Sequence, residues 1–141
     1  MKKFWLMTLV LMTVCCFADT DIRGALNNAG IEFDVMKNGD LAITDSGITV
    51  FVDKEAKEYN GLRMRCIYAV PYYKGQITDD IRLRMFNCNG DLKFGCWLML
   101  TDKYCAYRVQ VPADCSSEVF LTGVVFAYEA AKNFERDVLG R

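Results

Sequence analysis

The sequence contains no histidine. Catalytic triads, histidine-ligated metals and the usual proton shuttle at neutral pH are therefore excluded. No Cys-x-x-Cys occurs either, because the cysteines from Cys66 onward are 22, 8, 9 and 10 residues apart, so zinc-ribbon and thioredoxin-like chemistry are disfavoured. Glycines such as Gly90 and Gly95 lie outside any G-x-G-x-x-G or G-x-x-x-x-G-K-[ST] context, so no phosphate cradle is present. Positive charge is not clustered: Arg63, Arg65, Arg82, Arg84 and Arg108 stand among acids and apolar residues, which is no footing for nucleic acid. Only two prolines occur, and each is expected to end a strand, Pro71 after Val70 and Pro112 after Val111. The sequence also lacks a second long apolar run beyond the one at its start.

That first run sets the expected compartment. Lys2 and Lys3 precede an apolar stretch over Phe4–Phe17, and Ala18 ends it in an approximation of a secretory cleavage site. The stretch is too short for a comfortable membrane span, which needs about 20 apolar residues. Residues 1–18 are therefore read as a signal peptide cleaved after Ala18, and residues 19–141 as one exported domain, periplasmic or secreted, with no membrane span. An uncleaved anchor is one rival reading. A lipoprotein at Cys15 or Cys16 is another, although Val14 stands where a small residue is wanted. Without Lys2 and Lys3 the 17 basic residues fall to 15 against 18 acidic ones, a net charge of −3. Five cysteines remain: Cys66, Cys88, Cys96, Cys105 and Cys115. Export permits one or two structural disulfides among them, the pairing is open, and an odd number leaves at least one thiol over.

Local patterns then give an element order. Asp19-Thr20-Asp21 offers cap oxygens to a short helix that begins at Ile22 and stops at Gly30. Ile31, Phe33 and Val35 alternate with acids, Asn38-Gly39 reads as a type I′ hairpin, and Leu41–Thr44 is the partner strand. A turn at 45–47 leads to a third strand over Ile48–Val52, and the charged segment 53–61 reads as a loop. A fourth strand runs from Leu62 to Val70. Thr78, Asp79 and Asp80 open a second helix that stops near Gly90. In the next strand Leu92, Phe94, Cys96, Leu98 and Leu100 are assigned to one face, and Trp97 and Met99 to the other. A two-residue loop at Thr101-Asp102 would pair Leu98 with Cys105 and Cys96 with Tyr107. After Pro112, Ser116 or Ser117 caps a helix of about 20 residues. It carries an apolar stripe of Phe120, Val124, Ala127, Ala131, Phe134 and Val138, widened by Leu121, Val125 and Tyr128. The short turns make the sheet antiparallel. The fold class is α+β: an antiparallel sheet with a long C-terminal helix and two shorter helices packed on it.

Two motifs carry a resemblance. Asn38-Gly39-Asp40 marks the first hairpin, and Asn87, Asn89, Lys93, Phe94 and Gly95 mark the step from the second helix into the following strand. With the long terminal helix, these resemble the YbjN-like family, labelled a putative bacterial sensory transduction regulator, over about residues 22–139. The resemblance implies a domain like the type III secretion chaperones, non-enzymatic, binding protein segments or dimerising. Export and five cysteines depart from that pattern.

The reading for function is an exported domain that binds a polypeptide partner or a second copy of itself in the bacterial envelope, with a regulatory or chaperone-like role. No catalytic residue, cofactor or metal is expected. Tyr72 and Tyr73 in the loop after Pro71, with Trp97 and Tyr104 on an outer sheet face, are the candidate partner-binding residues; the rival placement has Trp97 covered by a helix or a neighbouring subunit. The alternative function is a small-molecule carrier with a pocket between helix and sheet, as in cystatin-like or NTF2-like folds. A cysteine-dependent enzyme comes third, with Cys66 beside Arg65 or Cys88 near Arg84 as the thiol.

Overall fold

The computed structural model describes residues 18–90 and 94–140. The expected signal segment, apart from Ala18, lies outside the described residues. The chain forms a mixed α+β domain in the order α1 (Ile22–Asn28), β1 (Asp34–Val35), β2 (Leu41–Asp45), β3 (Ile48–Val52), β4 (Lys57–Tyr59), β5 (Leu62–Val70), α2 (Asp79–Asn89), β6 (Cys96–Met99), β7 (Cys105–Pro112) and α3 (Ser117–Lys132), closed by a π-helical turn over Glu135–Leu139. The sheet has seven strands, all neighbours antiparallel, in the order β1-β2-β3-β5-β7-β6, with β4 paired to the start of β5. No helix among the described residues is long and apolar enough to cross a membrane.

Turn chemistry fixes the hairpins. Ser46-Gly47 and Asn60-Gly61 both hold two successive positive φ angles, 52° and 82°, then 50° and 82°, as two-residue type I′ turns require. The second of these converts part of the expected 53–61 loop into a strand, because Asn-Gly folds Lys57–Tyr59 back onto Leu62–Met64. At Asn38-Gly39 only the glycine adopts positive φ. The Gly39 amide instead donates to the Met36 carbonyl, which centres the turn on Lys37-Asn38, and the Asn38 side chain accepts from the Asp40 amide. The helices start at their caps: Asp21 accepts from the Gly24 amide, Thr78 from Ile81 and Ser116 from Val119.

The expected stripe on the last helix is the centre of the core. Phe120, Val124, Ala127, Ala131, Phe134 and Val138 are all buried, and α3 lies across β7, β5 and β3. Its approach is close at Gly123, where a Cβ would sit 3.0 Å from Val111 Cγ1 and 3.1 Å from Ile67 Cδ1. Ile67, Val109 and Val111 of the sheet share one buried cluster with Phe120 and Val124. The regular helix is shorter than expected, 16 residues, and the π-helical turn supplies the rest of the buried stripe. Val125 is exposed and does not widen the stripe, since it lies on the side of α3 away from the sheet.

One buried charge shapes the edge of the sheet. Arg65, 3% exposed, points to the helix side opposite Val111. Its guanidinium donates to the carbonyls of Asp53 (2.6 Å) and Lys54, the backbone bulge that joins β3 to β4, and lies 3.8 Å from Asp19. Asp19 is held in turn by both Arg63 nitrogens, at 2.6 and 2.9 Å. A buried charge needs such partners. Arg65 is thus occupied by carbonyls on the face opposite Cys66.

Candidate functional site

The sheet has two faces of different character. Strand alternation sends Leu41, Val50, Val52, Ile67, Ala69, Tyr107, Val109 and Trp97 toward the helices, where they are buried. The alternate residues form the other face: Phe51 on β3, Cys66, Tyr68 and Val70 on β5, Ala106 and Arg108 on β7, and Cys96 and Leu98 on β6. Cys66 and Ala106 on this face are buried, and Phe51, Tyr68, Val70, Arg108, Cys96 and Leu98 are half-buried.

The pairing register brings these side chains into rows. Phe51 is opposite Tyr68, Tyr68 opposite Arg108, and Arg108 opposite Cys96. The next row places Thr49, Val70, Ala106 and Leu98 side by side. Leu100 and Tyr104 close the β6–β7 end, joined by the Leu100 amide and the Tyr104 carbonyl at 2.8 Å. Beyond the end of β5 the chain turns at Tyr72, where the Tyr73 amide donates to the Pro71 carbonyl, and the Tyr72 ring lies against Gly47 in the β2–β3 turn. The result is an aromatic and aliphatic surface with Arg108 within it, and with Lys57, opposite Met64 and 3.6 Å from Asp53, at its β4 end.

Two of the four candidate aromatics are exposed, Tyr104 at the β6–β7 end of this face and Tyr72 in the turn after β5. Tyr72 and Tyr104 are 57% and 60% exposed. The other two are not. Tyr73 is half-buried with its ring centroid 5.4 Å from that of Phe134, on the helix side. Trp97, expected on the outer face, is 5% exposed and packs edge-on to Tyr107 at 5.4 Å and against Phe134 at 5.1 Å. The reason is a register change of one residue. The loop after β6 spans Thr101-Asp102-Lys103 rather than two residues, so Trp97 faces Tyr107, Leu98 faces Ala106 and Met99 faces Cys105. Because strand side chains alternate, a one-residue slip exchanges the two faces of β6. Cys96, Leu98 and Leu100 therefore point outward, the reverse of the expected arrangement. Phe94 leaves the platform as well and stacks on Phe126 of α3 at 5.1 Å.

The residues that sequence reasoning missed are Phe51, Tyr68 and Arg108. Their signal was available in the pattern, since each alternates with residues of the buried face, but only the strand order β3-β5-β7-β6 shows that they form one row. Arg108 donates through Nη2 to the Cys96 sulfur at 3.7 Å, and Gln110 donates to the Cys66 sulfur at 3.5 Å. No carboxylate among the described residues forms an ion pair with Arg108. Burial foremost, then contact with Cys66, pushes the Tyr68 phenol well above its usual range, so it stays a neutral hydroxyl.

Cys66, Cys96, Cys105 and Cys115 form no disulfide, and the Cys88 sulfur donates to the Asp137 carbonyl at 3.3 Å. The expected structural disulfides are therefore absent among these residues: strand pairing keeps a whole strand between Cys66 on β5 and Cys96 on β6, and Cys105 points into the core. Burial raises the Cys105 thiol to about 11, the opposite of activation. Arg84, the expected neighbour of Cys88, is engaged by Asp80 at 2.9 Å and by the Leu139 carbonyl at 3.1 Å. No group of three or more metal-ligating side chains occurs among the described residues.

A second apolar surface lies on the outer side of α3, where Leu121, Val125 and Phe126 line a shallow groove of about 560 Å³ bordered by Glu118 and Glu129. Comparison with protein-family models, with curated proteins and with solved structures finds no match.

Proposed function

We propose that this chain is a non-enzymatic binding domain, exported to the bacterial envelope, that holds a polypeptide partner or a second copy of itself on the open face of its sheet. The observation that carries this reading is the outward sheet face on which half-buried Phe51, Tyr68, Val70 and Leu98 run out to exposed Leu100 and Tyr104. Contiguous exposed apolar surface on a small domain marks an interaction site, and aromatic residues dominate the energetics of such sites. The YbjN-like resemblance and the chaperone-like fold it implies agree with a domain that works by binding. A helix laid on one side of an antiparallel sheet leaves the other side available to a partner.

A carrier function with a ligand between helix and sheet is the weaker reading, because the close approach at Gly123 fills the middle of that interface and leaves only an edge groove of about 290 Å³ between α3 and β7, lined by Phe94, Val109, Val111, Val119, Gly123 and Phe126. Site-specific photo-crosslinkers decide between the surfaces. Placed at Tyr72 or Tyr104, they are expected to give polypeptide adducts in the native envelope; placed at Val125, they are not. Adducts from Val125 alone would move the function to the α3 groove, and a co-purifying small molecule without adducts would favour the carrier.

A further inference from the structure

Arg108 stands in the middle of the open face, half-buried between Tyr68 on one side and Cys96 on the other, and its side-chain contact is a thiol. While the face is open, water solvates the guanidinium. Anything that covers the face removes that water, and an arginine desolvated without a counter-charge costs several kcal/mol. A purely apolar partner is therefore penalised at the centre of the platform.

From this we infer, on the reading that the open face is the binding surface, that its partner is an apolar polypeptide segment with a carboxylate in its middle, which pairs with Arg108. The planar fork of the guanidinium suits a carboxylate bidentately, and aromatic flanks at Tyr68 and Phe51 take the apolar residues around it. A second copy docked face to face about a two-fold axis at this point would oppose Arg108 with Arg108, so like charges disfavour that arrangement. An anionic membrane surface fits less well, since it attracts clusters of basic residues, whereas this face has Arg108 and, at its β4 end, Lys57 paired with Asp53, and residues 19–141 carry a net charge of −3.

The test uses the intact protein and three synthetic amphipathic peptides of identical sequence except for one central position, Glu, Gln or Lys. Binding is read by fluorescence anisotropy, and its location by protection of Cys96 from alkylation. The Glu peptide is expected to bind about tenfold or more tighter than the Gln peptide and to protect Cys96. Arg108→Gln should erase the difference between them, Arg108→Lys should keep part of it, and Arg108→Glu should reverse the preference toward the Lys peptide. Equal binding of the Glu and Gln peptides with Cys96 protected overturns this inference while leaving the open face as the binding surface. Binding that leaves Cys96 unprotected and ignores Tyr104→Ser overturns both. Failure of every peptide to bind, with or without binding to vesicles of anionic phospholipid, also overturns the acidic-segment inference.

Discussion

The side-chain amide of Asn89, in the last turn of α2, exchanges two hydrogen bonds with the backbone of Trp97. The Trp97 N–H donates to Oδ1 at 2.6 Å, and Nδ2 donates to the Trp97 carbonyl at 2.9 Å. Trp97 belongs to β6, the last strand of the sheet, and it faces Tyr107 on its paired side. The asparagine thus serves in place of a further strand at this residue of an edge that would otherwise be open to pairing with another chain. It also anchors the strand whose indole fills the core against Phe134.

Asn89→Ala removes both bonds and leaves the two backbone groups of Trp97 without that partner. A loss of about 1–3 kcal/mol is expected. Urea denaturation followed by circular dichroism checks this, and an unchanged midpoint would mean that the bridge contributes nothing. Self-association should rise in the same variant, because an uncapped edge strand is a template for pairing.

Trp97 and Tyr104 illustrate how differently two aromatics of one hairpin behave. Trp97→Ala empties a core position and should cost about 3–5 kcal/mol. Tyr104→Ser should change stability by no more than about 0.5 kcal/mol, since its ring stands in solvent. In the chain that starts at Asp19, Trp97 is the only tryptophan. Its emission is expected to be blue-shifted and poorly quenched by acrylamide; strong quenching would contradict the buried placement.

The contrast between these residues also shows what the sequence could and could not reveal. The stripe from Phe120 to Val138 was legible because a helix repeats its face every three or four residues, so the error at any one position is small. A strand repeats every two, and β6 is bounded by a loop whose length the composition Thr-Asp-Lys does not fix. One residue of uncertainty there moved Trp97 from the outer face to the core. Tyr72 and Tyr104 were recognisable as exposed from their loop and strand-end positions. The row of Phe51, Tyr68, Arg108 and Cys96 was not recognisable, because it depends on which strands are neighbours across 57 residues of sequence, from Phe51 to Arg108 at the far side of β5. Likewise Asn60-Gly61 was read as the end of a loop, although its backbone preference was sufficient to make a hairpin.

Asp53 should show a pH response opposite to that of most carboxylates. Burial is the largest influence on it and raises its pKa above the ordinary value of 3.8, outweighing the attraction of Lys57, whose nitrogen is 3.6 Å away. One of its oxygens, Oδ2, is buried without a hydrogen-bond partner. A carboxyl whose pKa is raised by folding binds its proton more tightly in the native state. Its ionisation therefore withdraws stability as pH rises from below the unfolded value through the folded one. Asp53→Asn should accordingly raise stability at neutral pH slightly, on the order of 0.5 kcal/mol, and the difference from wild type should vanish in acid. A variant less stable than wild type at neutral pH would show that the carboxylate is better accommodated than its burial indicates.

Cys105 supplies the complementary case at alkaline pH. It is buried opposite Met99, and burial lifts its thiol from an ordinary 9.0 to about 11. Below pH 9 the thiol is protonated in both folded and unfolded chains, and its contribution is fully present. Between about pH 9 and 11 the unfolded chain releases the proton while the folded chain keeps it, so stability falls as pH rises through that window. A two-unit gap corresponds to about 2–3 kcal/mol. Tyr68 and Tyr107 are also raised, chiefly by burial, and extend the loss in the same direction at higher pH. Cys105→Ala deletes the thiol while leaving both tyrosines, so it should be less stable than wild type near neutrality and show a visibly flatter decline between pH 9 and 11. Denaturant midpoints measured across that range decide the matter: parallel curves for the two proteins would place the alkaline sensitivity in the tyrosines alone. Alkylation supplies an independent check, because Cys105 should react only at the rate of global opening while Cys96, on the open face, reacts from the native state.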